Sequence, residues 1–414
     1  MFLDHPLFYE LWVFPLYTGF APWLGFTVLY LLGSGAGTMR AGYRVVVSLA
    51  GVYYFFFSCG LWAVGALALL IPIFLWLATA HFGAKGLWGI FPLLIFFAVF
   101  GHYPLHVDPN LAEEIVRDGR LSIHVLALFF FFRLISYGIA TGLHHEKSTL
   151  FECVEYFFAP PFLLEPGKGF MTTFSTFSEP VKRARDRLKG LQWLGQGIIF
   201  QGLFFLSGKS IISFLNLHYS DGNSPWHISW ILTVGFFSFL LTYMEKTRMS
   251  FTLAGLLRLS GRAIEPDFRA PWMAKSLLDY WRRFHYWVLE FYVEVLYQPI
   301  SYYLSRRVNA RASVAIGMFL TFMIGTAFSH LLYYSAPLSV ALLLGILFGA
   351  ATTVHYLAGS LLQRFSEQWG WLGIPATWLS VGFLYAFGYP VFGLVKHLHI
   401  KLQNPIVKPP PIIE

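Results

Sequence analysis

Apolar runs long enough to cross a bilayer recur from one end of this chain to the other. They fall at roughly 11–32, 45–59, 61–80, 88–103, 121–143, 193–215, 226–244, 313–335, 338–359 and 372–395. A water-soluble core has no use for so many, because each run needs lipid or another such run around it. Of 414 residues, 57% are hydrophobic and only 12% charged, with 44 Phe, 22 Tyr and 14 Trp, and the mean hydropathy is +0.59. The expected fold is all-α. It is a polytopic integral membrane protein with about 10–11 transmembrane helices plus re-entrant or interfacial segments, forming a single membrane-embedded domain over 1–414. The opening MFLDHPLFYELW carries no Lys or Arg, so it lacks the n-region of a secretory signal and reads as an interfacial lead-in.

Charge placement orients these spans. Basic residues gather in 144–190, including KRARDRLK at 182–189, in 245–283, and in the group Arg306, Arg307 and Arg311. The connection NLHYSDGNSPW at 216–226 has neither Lys nor Arg. The positive-inside rule puts the basic connections in the cytoplasm and 216–226 outside, with an external N-terminus. The C-terminal lysines Lys396, Lys401 and Lys408 then fall outside, so one crossing after 245 is unassigned. A formal net charge of +8 is what membrane-facing loops produce, and nucleic acid is not an expected partner. Cys59 and Cys153 are too few to form a metal framework.

Two cytoplasmic connections are too apolar for ordinary loops. YFFAPPFLLEPGKGFMTTF at 156–174 carries three prolines among aromatics and cannot be one straight helix. The second, 250–303, contains DYWRRFHYWVLEFYVEVLYQPI. At helical spacing Asp279, Arg283, Tyr286, Glu290, Glu294 and Tyr297 of this stretch share one sector. The preferred reading is an amphipathic interfacial face with Asp279 and Arg283 as an i,i+4 pair. The alternative makes the stripe the lining of a polar entrance for a charged substrate. His285 falls outside the stripe, on a flank with Trp281, Leu289, Tyr292 and Leu296.

His330, inside SVAIGMFLTFMIGTAFSHLLYYSA, shares a helical face with Met323, Thr326, Tyr333 and Tyr334. Position alone leaves two readings level: a functional site, or a neutral histidine bridging two helices. KRARDRLK is read as a topology signal beside acidic headgroups, with attraction of CoA phosphates or an acidic carrier protein as the alternative. His102, His106 and Asp108 have loose metal-ligand spacing, but the intervening proline breaks the helix that would align them, and no metal site is expected. HHE at 144–146 reads as the solvated end of a span.

In four segments, taken in order, the chain resembles the membrane-bound O-acyltransferase (MBOAT) family, especially its bacterial branch of alginate O-acetyltransferases and teichoic-acid D-alanyl transferases. FFFFRLISYGI at 129–139 looks like the family's Arg-x-Ile-x-Tyr helix. The segment 156–174 resembles its re-entrant element. PDFRAPWMAKSLLDYWRRFHYWVLEFYVEVLYQPI at 266–300 is similar to an Asn-Phe-x-x-Pro-Tyr … Asp-Phe-Trp-Arg-Arg-Trp-His pattern, and AFSHLLYY follows with a lone histidine. The resemblance spans about 120–360. It departs where Ala327-Phe328-Ser329-His330-Leu331 stands in place of Gly-Leu-Trp-His-Gly, and where Glu165-Pro166 stands in place of Gly-Pro.

The resemblance implies helices around a central tunnel, in the inner membrane of a bacterium. It implies O-acyl transfer from a cytoplasmic thioester, an acyl-CoA or an acyl-carrier protein, to a hydroxyl acceptor such as a cell-envelope polysaccharide. No cofactor would be tightly bound. His330 would be the general base and His285 the second catalytic histidine, positioning the donor or stabilising developing charge. Asp279, Trp281, Arg282 and Arg283 are the candidate substrate-binding residues. Expected partners are the lipid bilayer, the donor, and a periplasmic or extracellular protein that handles the acceptor. The rival readings are a transporter or flippase using the same tunnel, and a catalytically inactive relative acting as a membrane partner.

Overall fold

A computed structural model describes residues 20–34, 38–58, 62–83, 123–164, 172–220, 228–274, 277–333 and 338–368. The expected spans 88–103 and 372–395, and the histidines at 102 and 106, lie outside these residues. The described chain is all-α, and its β structure is one isolated antiparallel bridge between Pro180 and Arg262. Long apolar runs rich in Leu and Ala favour helix, and the helix over Trp62–Phe82 accommodates Pro72 within its length.

The first helices are α1 (Phe20–Leu32), α2 (Thr38–Ser58), α3 (Trp62–Phe82) and α4 (Ile123–Gly138), the last extended by a π turn over Ile139–Leu143. The segment expected to be broken is broken. α5 (Leu150–Phe158) starts with a capping box: Thr149 Oγ1 accepts from Glu152 N at 3.2 Å and Glu152 Oε2 accepts from Thr149 N at 3.0 Å. It stops before Pro160, and the chain restarts as α6 (Pro160–Leu164) and α7 (Phe174–Ser178).

α8 (Ala184–Ser220) and α9 (Ile228–Leu259) form a long antiparallel pair of 37 and 32 residues. Here the expected boundaries need correction. The connection placed at 245–283 begins only after Leu259, because Glu245, Thr247 and Arg258 are buried within a helix whose apolar face resumes at Met249, Leu253 and Leu257. The pair packs backbone against backbone: a Cβ on Gly255 would meet Gly190 O at 2.8 Å and Leu194 N at 2.9 Å. Only glycine permits that approach.

Next come α10 (Leu277–Phe284), α11 (Tyr286–Tyr292), a π turn over Val293–Tyr297 and α12 (Gln298–Ser305). Two long helices close the described chain, α13 (Ala310–Tyr333) and α14 (Leu338–Gln368). Within them, 19 residues at Ala310–Phe328 and 18 at Ala341–Ala358 are long and apolar enough to cross a membrane, and Leu70–Phe82 of α3 is a shorter apolar helix.

An aromatic core joins the front half. Phe130, Tyr137, Tyr156, Phe157, Phe174 and Phe177 are buried together, with Tyr137 edge-on to Phe174 at 5.0 Å. Arg133 is fully buried here. Its guanidinium lies 4.4 Å from the Tyr156 ring centre and 3.7 Å from that of Phe162, and it donates to Tyr156 O. Ser136 Oγ accepts from Phe174 N at 2.9 Å. The arginine-bearing helix and the broken segment, which sequence treats separately, are thus one packed unit.

A second buried charge ties distant parts of the chain. Glu155 on α5 accepts from Arg44 of α2 on one carboxylate oxygen and from Arg262, just past α9, on the other. Arg44 also donates to Gly33 O at 2.9 Å. A carboxylate at 1% exposure needs such pairing, since an uncompensated buried charge is strongly destabilising.

Candidate functional site

The stretch 279–300 is not one helix. Backbone torsions at His285 are φ −147° and ψ 64°, so α10 ends there and α11 starts anew. What holds the break is the loop before it. Asp267 Oδ1 accepts from Trp287 N at 2.7 Å, and Asp267 O accepts from Tyr286 N at 3.0 Å. A carboxylate at the start of a helix satisfies amides that lack intrahelical partners. Trp287 Nε1 donates to Glu265 O at 2.8 Å, and Arg269 N donates to Arg283 O at 2.6 Å. The loop passes through Ala270 at φ 47°, a left-handed conformation an alanine adopts only under such constraint.

The second Asp267 oxygen faces His285. Nδ1 lies 3.4 Å from Asp267 Oδ2, and the His285 ring is edge-on to Phe284 at 4.5 Å. A carboxylate cannot donate while ionised, so Nδ1 is the donor in this contact. This is how a carboxylate fixes the tautomer and orientation of a working histidine.

Beside the break opens a cavity of about 650 Å³. Asp279, Arg282 and Arg283 line it from α10, and Tyr286, Glu290 and Glu294 line it beyond the break. The opposite wall is polar, with Thr173, Ser175 and Thr176 around α7. Arg269 closes one side, its guanidinium 3.8 Å from the Tyr286 ring centre and its Nε donating to Pro266 O at 2.8 Å. Asp279 Oδ1 accepts from Arg283 Nε at 3.0 Å, the i,i+4 pair the spacing predicts. Asp279, Arg283, Tyr286, Glu290 and Glu294 of the stripe line this open cavity, as the polar-entrance alternative expects, whereas Tyr297 is not among its lining.

The two ends of the cavity differ in charge. Arg269, Arg282 and Arg283 lie toward the loop and α10, with Asp279 paired to Arg283 among them, and Glu290 and Glu294 lie beyond. Thr176 Oγ1 donates to Glu290 Oε2 at 3.1 Å, and burial holds the Glu290 carboxyl above its usual range. Burial pushes Glu294 up to about 7, with the charges of Glu146 and Glu290 adding to the shift. Both sit outside the spans, in the connection that threading places on the cytoplasmic side. The solvated end expected at 144–146 is seen, with His144 and His145 exposed just past the π turn that ends at Leu143. His144 lines the cavity, and Glu146 accepts from Ser175 Oγ at 2.7 Å.

Trp281 faces the other way. Its ring packs 5.6 Å from Phe348 of α14 and 6.2 Å from Phe322 of α13, which joins the broken helix to the two apolar helices. Of the four candidate substrate-binding residues, Asp279, Arg282 and Arg283 are on the cavity and Trp281 is not among its lining. The His330 backbone lies in the last turns of α13, and its side chain is outside the described residues. Two residues earlier, Phe328 stacks on Phe131 at 5.4 Å and meets Phe132 edge-on at 6.2 Å, fixing this end of α13 against α4.

Sequence reasoning missed Asp267 and Arg269. The only signal was their setting, PDFRAPW, where two prolines force irregular backbone around two charged residues. No protein-family model matches the chain, and no curated protein matches it.

Proposed function

We propose that this protein is a multi-pass membrane acyltransferase of the MBOAT type, in a bacterial inner membrane. It moves an acyl group from a cytoplasmic thioester, an acyl-CoA or an acyl-carrier protein, to a hydroxyl acceptor of the cell envelope. The observation that carries the reading is the histidine–carboxylate pair His285–Asp267 at a helix break; neither residue lines the arginine-bearing cavity, but the next residue, Tyr286, does. Supporting the membrane part, the long helices expose broad apolar faces: Ile198, Ile199, Phe205 and Leu206 are 61% or more exposed on α8. Lipid covers such a face without penalty, whereas water does not. At 1.5 Å per residue α8 is about 55 Å long, well beyond a hydrocarbon core of about 30 Å, so its basic first turns stand clear of the lipid.

In this reading Arg269, Arg282 and Arg283 hold the phosphates of CoA or the acidic face of a carrier at the cytoplasmic mouth. His330 takes the proton of the acceptor hydroxyl as its oxygen attacks the thioester carbonyl carbon. The C–S bond then breaks, and the proton passes from the imidazolium to the departing thiolate, so the base is regenerated. His285, oriented by Asp267, positions the donor or offers a hydrogen bond as negative charge develops. No cofactor is consumed or needed.

One observation favours a second reading, a transporter or flippase: Glu294 titrates near neutrality on the cavity wall, as a carboxyl coupling flux to protons would. The test separates the two. Purified wild type and His330→Ala, in detergent, are incubated with labelled acyl-CoAs and acyl-carrier thioesters, with and without envelope extract. Thioester loss that depends on His330 and falls in Arg282→Gln/Arg283→Gln is the expected result. Equal, negligible loss in wild type and mutant, with substrate movement intact in proteoliposomes, would establish the transporter instead.

A further inference from the structure

The turn between α12 and α13 carries an exposed basic patch that the cavity does not use. Tyr302 and Tyr303 stand out from α12 at 63% and 54% exposure. Each has an arginine four residues on. The Arg306 guanidinium lies 4.5 Å from the Tyr302 ring centre and Arg307 lies 4.3 Å from that of Tyr303. Arg311 is exposed one turn further, at the start of α13. Among the described residues no carboxylate pairs with these three arginines, and the first turn of α13 has no acidic residue. The first turn of α8, by contrast, has Asp186, paired with Lys189 at 3.3 Å.

Helix electrostatics accounts for part of the patch: Arg306 is the C-cap of α12 and Arg307 follows it, where cations are favoured, whereas Arg311 lies in the first turn of α13, where they are not. Asn309 already caps α13, its Oδ1 accepting from Ala312 N at 2.8 Å, and cations are unfavourable at the positive end of a helix dipole. Arg306 also donates to the Tyr302 hydroxyl, and the exposed faces of the three guanidinium groups are open to solvent or to an external anion. Directly after them begins the apolar stretch Ala310–Phe328, long enough to cross a membrane, so the patch sits at the level of the headgroups. Exposed tyrosines suit that level as well, with the ring in the acyl boundary and the hydroxyl in water. Ser313 Oγ donates to Ser301 O at 3.0 Å, and a Cβ on Gly317 would clash with Ser301, so α12 is held against the foot of α13 with its tyrosine–arginine pairs turned outward.

We infer that Tyr302, Tyr303, Arg306, Arg307 and Arg311 form a docking surface for the phosphates of anionic phospholipid headgroups on the cytoplasmic leaflet. The surface anchors the foot of α13, the helix that carries His330. This rests on the membrane part of the reading above and not on acyl transfer.

The test uses the full chain, purified in mild detergent. Phosphatidylglycerol or phosphatidylcholine is titrated in, and bound lipid is counted by native mass spectrometry. Wild type should retain phosphatidylglycerol selectively. Arg306→Gln/Arg307→Gln/Arg311→Gln should lose that selectivity by on the order of tenfold or more, the scale expected for three basic side chains at an anionic surface. Arg306→Lys/Arg307→Lys/Arg311→Lys should restore most of it, and Lys182→Gln/Arg183→Gln/Arg185→Gln should leave it largely intact.

Equal losses in the two glutamine triples would mean general electrostatic adsorption and overturn the surface. Failure of the lysine triple to restore binding would mean the arginines only hold the turn, which also overturns it. Displacement of the lipid by inorganic phosphate at matched ionic strength would reassign the patch to a soluble anion. If the protein leaves cells without detergent, the membrane reading fails, and this inference with it. If detergent is required yet no lipid preference appears, only this inference fails.

Discussion

Asp267 accepts the Trp287 backbone amide at 2.7 Å on one oxygen, so the residue that faces His285 on its other oxygen also starts the helix beyond it. Anchoring and orientation are therefore separable by chemistry. Asp267→Ala removes both and should lower stability by about 1–2 kcal/mol, as lost helix caps do. Asp267→Asn keeps an acceptor for Trp287 and loses the charge opposite His285. Its thermal midpoint should stay near wild type while thioester turnover falls as far as in the alanine variant. Turnover that merely tracks the midpoint in both would make Asp267 purely structural.

Glu155 serves two arginines at once, Arg44 and Arg262, at 1% exposure. Glu155→Ala leaves two guanidinium groups facing each other in the core, which should cost about 3–5 kcal/mol. Denaturant unfolding in detergent measures it. Arg44→Met/Glu155→Leu/Arg262→Met, which removes the charges together, should recover much of the loss.

Gly255 and Gly202 should respond in opposite directions to the same substitution. Gly255→Ala drives a methyl against Gly190 O and the Leu194 amide, and should destabilise by about 1–3 kcal/mol. Gly202 has open space around it within α8, so Gly202→Ala should stabilise by up to about 1 kcal/mol through helix propensity alone. A thermal-shift comparison of the two variants decides whether the α8–α9 backbones touch.

Glu294 makes stability depend on pH in an unusual sense. Burial first, then Glu146 and Glu290, raises its carboxyl from an ordinary 4.5 to about 7 in the folded state. Between those values the unfolded chain releases the proton while the folded chain keeps it, so folding stability falls as pH rises and levels off above about 7. The span of the effect is on the order of 2–3 kcal/mol. Glu294→Gln should flatten this part of the stability profile and gain most at pH 8. An unchanged slope between pH 5 and pH 7 would show that Glu294 is solvated after all.

Sequence periodicity was enough for helices, for the break near Pro160 and for the Asp279–Arg283 pair, because each depends on residues within a few positions of one another. It overran at α9, where Glu245, Lys246 and Arg248 look like the end of a helix. Backbone hydrogen bonding continued through them, since burial of Glu245 and Thr247 against neighbouring elements removed the need for a solvated loop. It also drew 279–300 as one cylinder, because no local residue announces the break at His285.

By itself, then, the sequence determined that the described chain is mostly helical and largely apolar, and which charged residues fall on one stripe. Those properties are local, set by propensity and spacing. Only the tertiary structure decided that most of the stripe lines an open cavity, that Asp267 meets His285 across 18 residues, and that Glu155 joins Arg44 to Arg262 across more than 100. Buried charges select their partners by shared desolvation and geometry after the chain has folded back on itself, and sequence spacing carries no record of that choice.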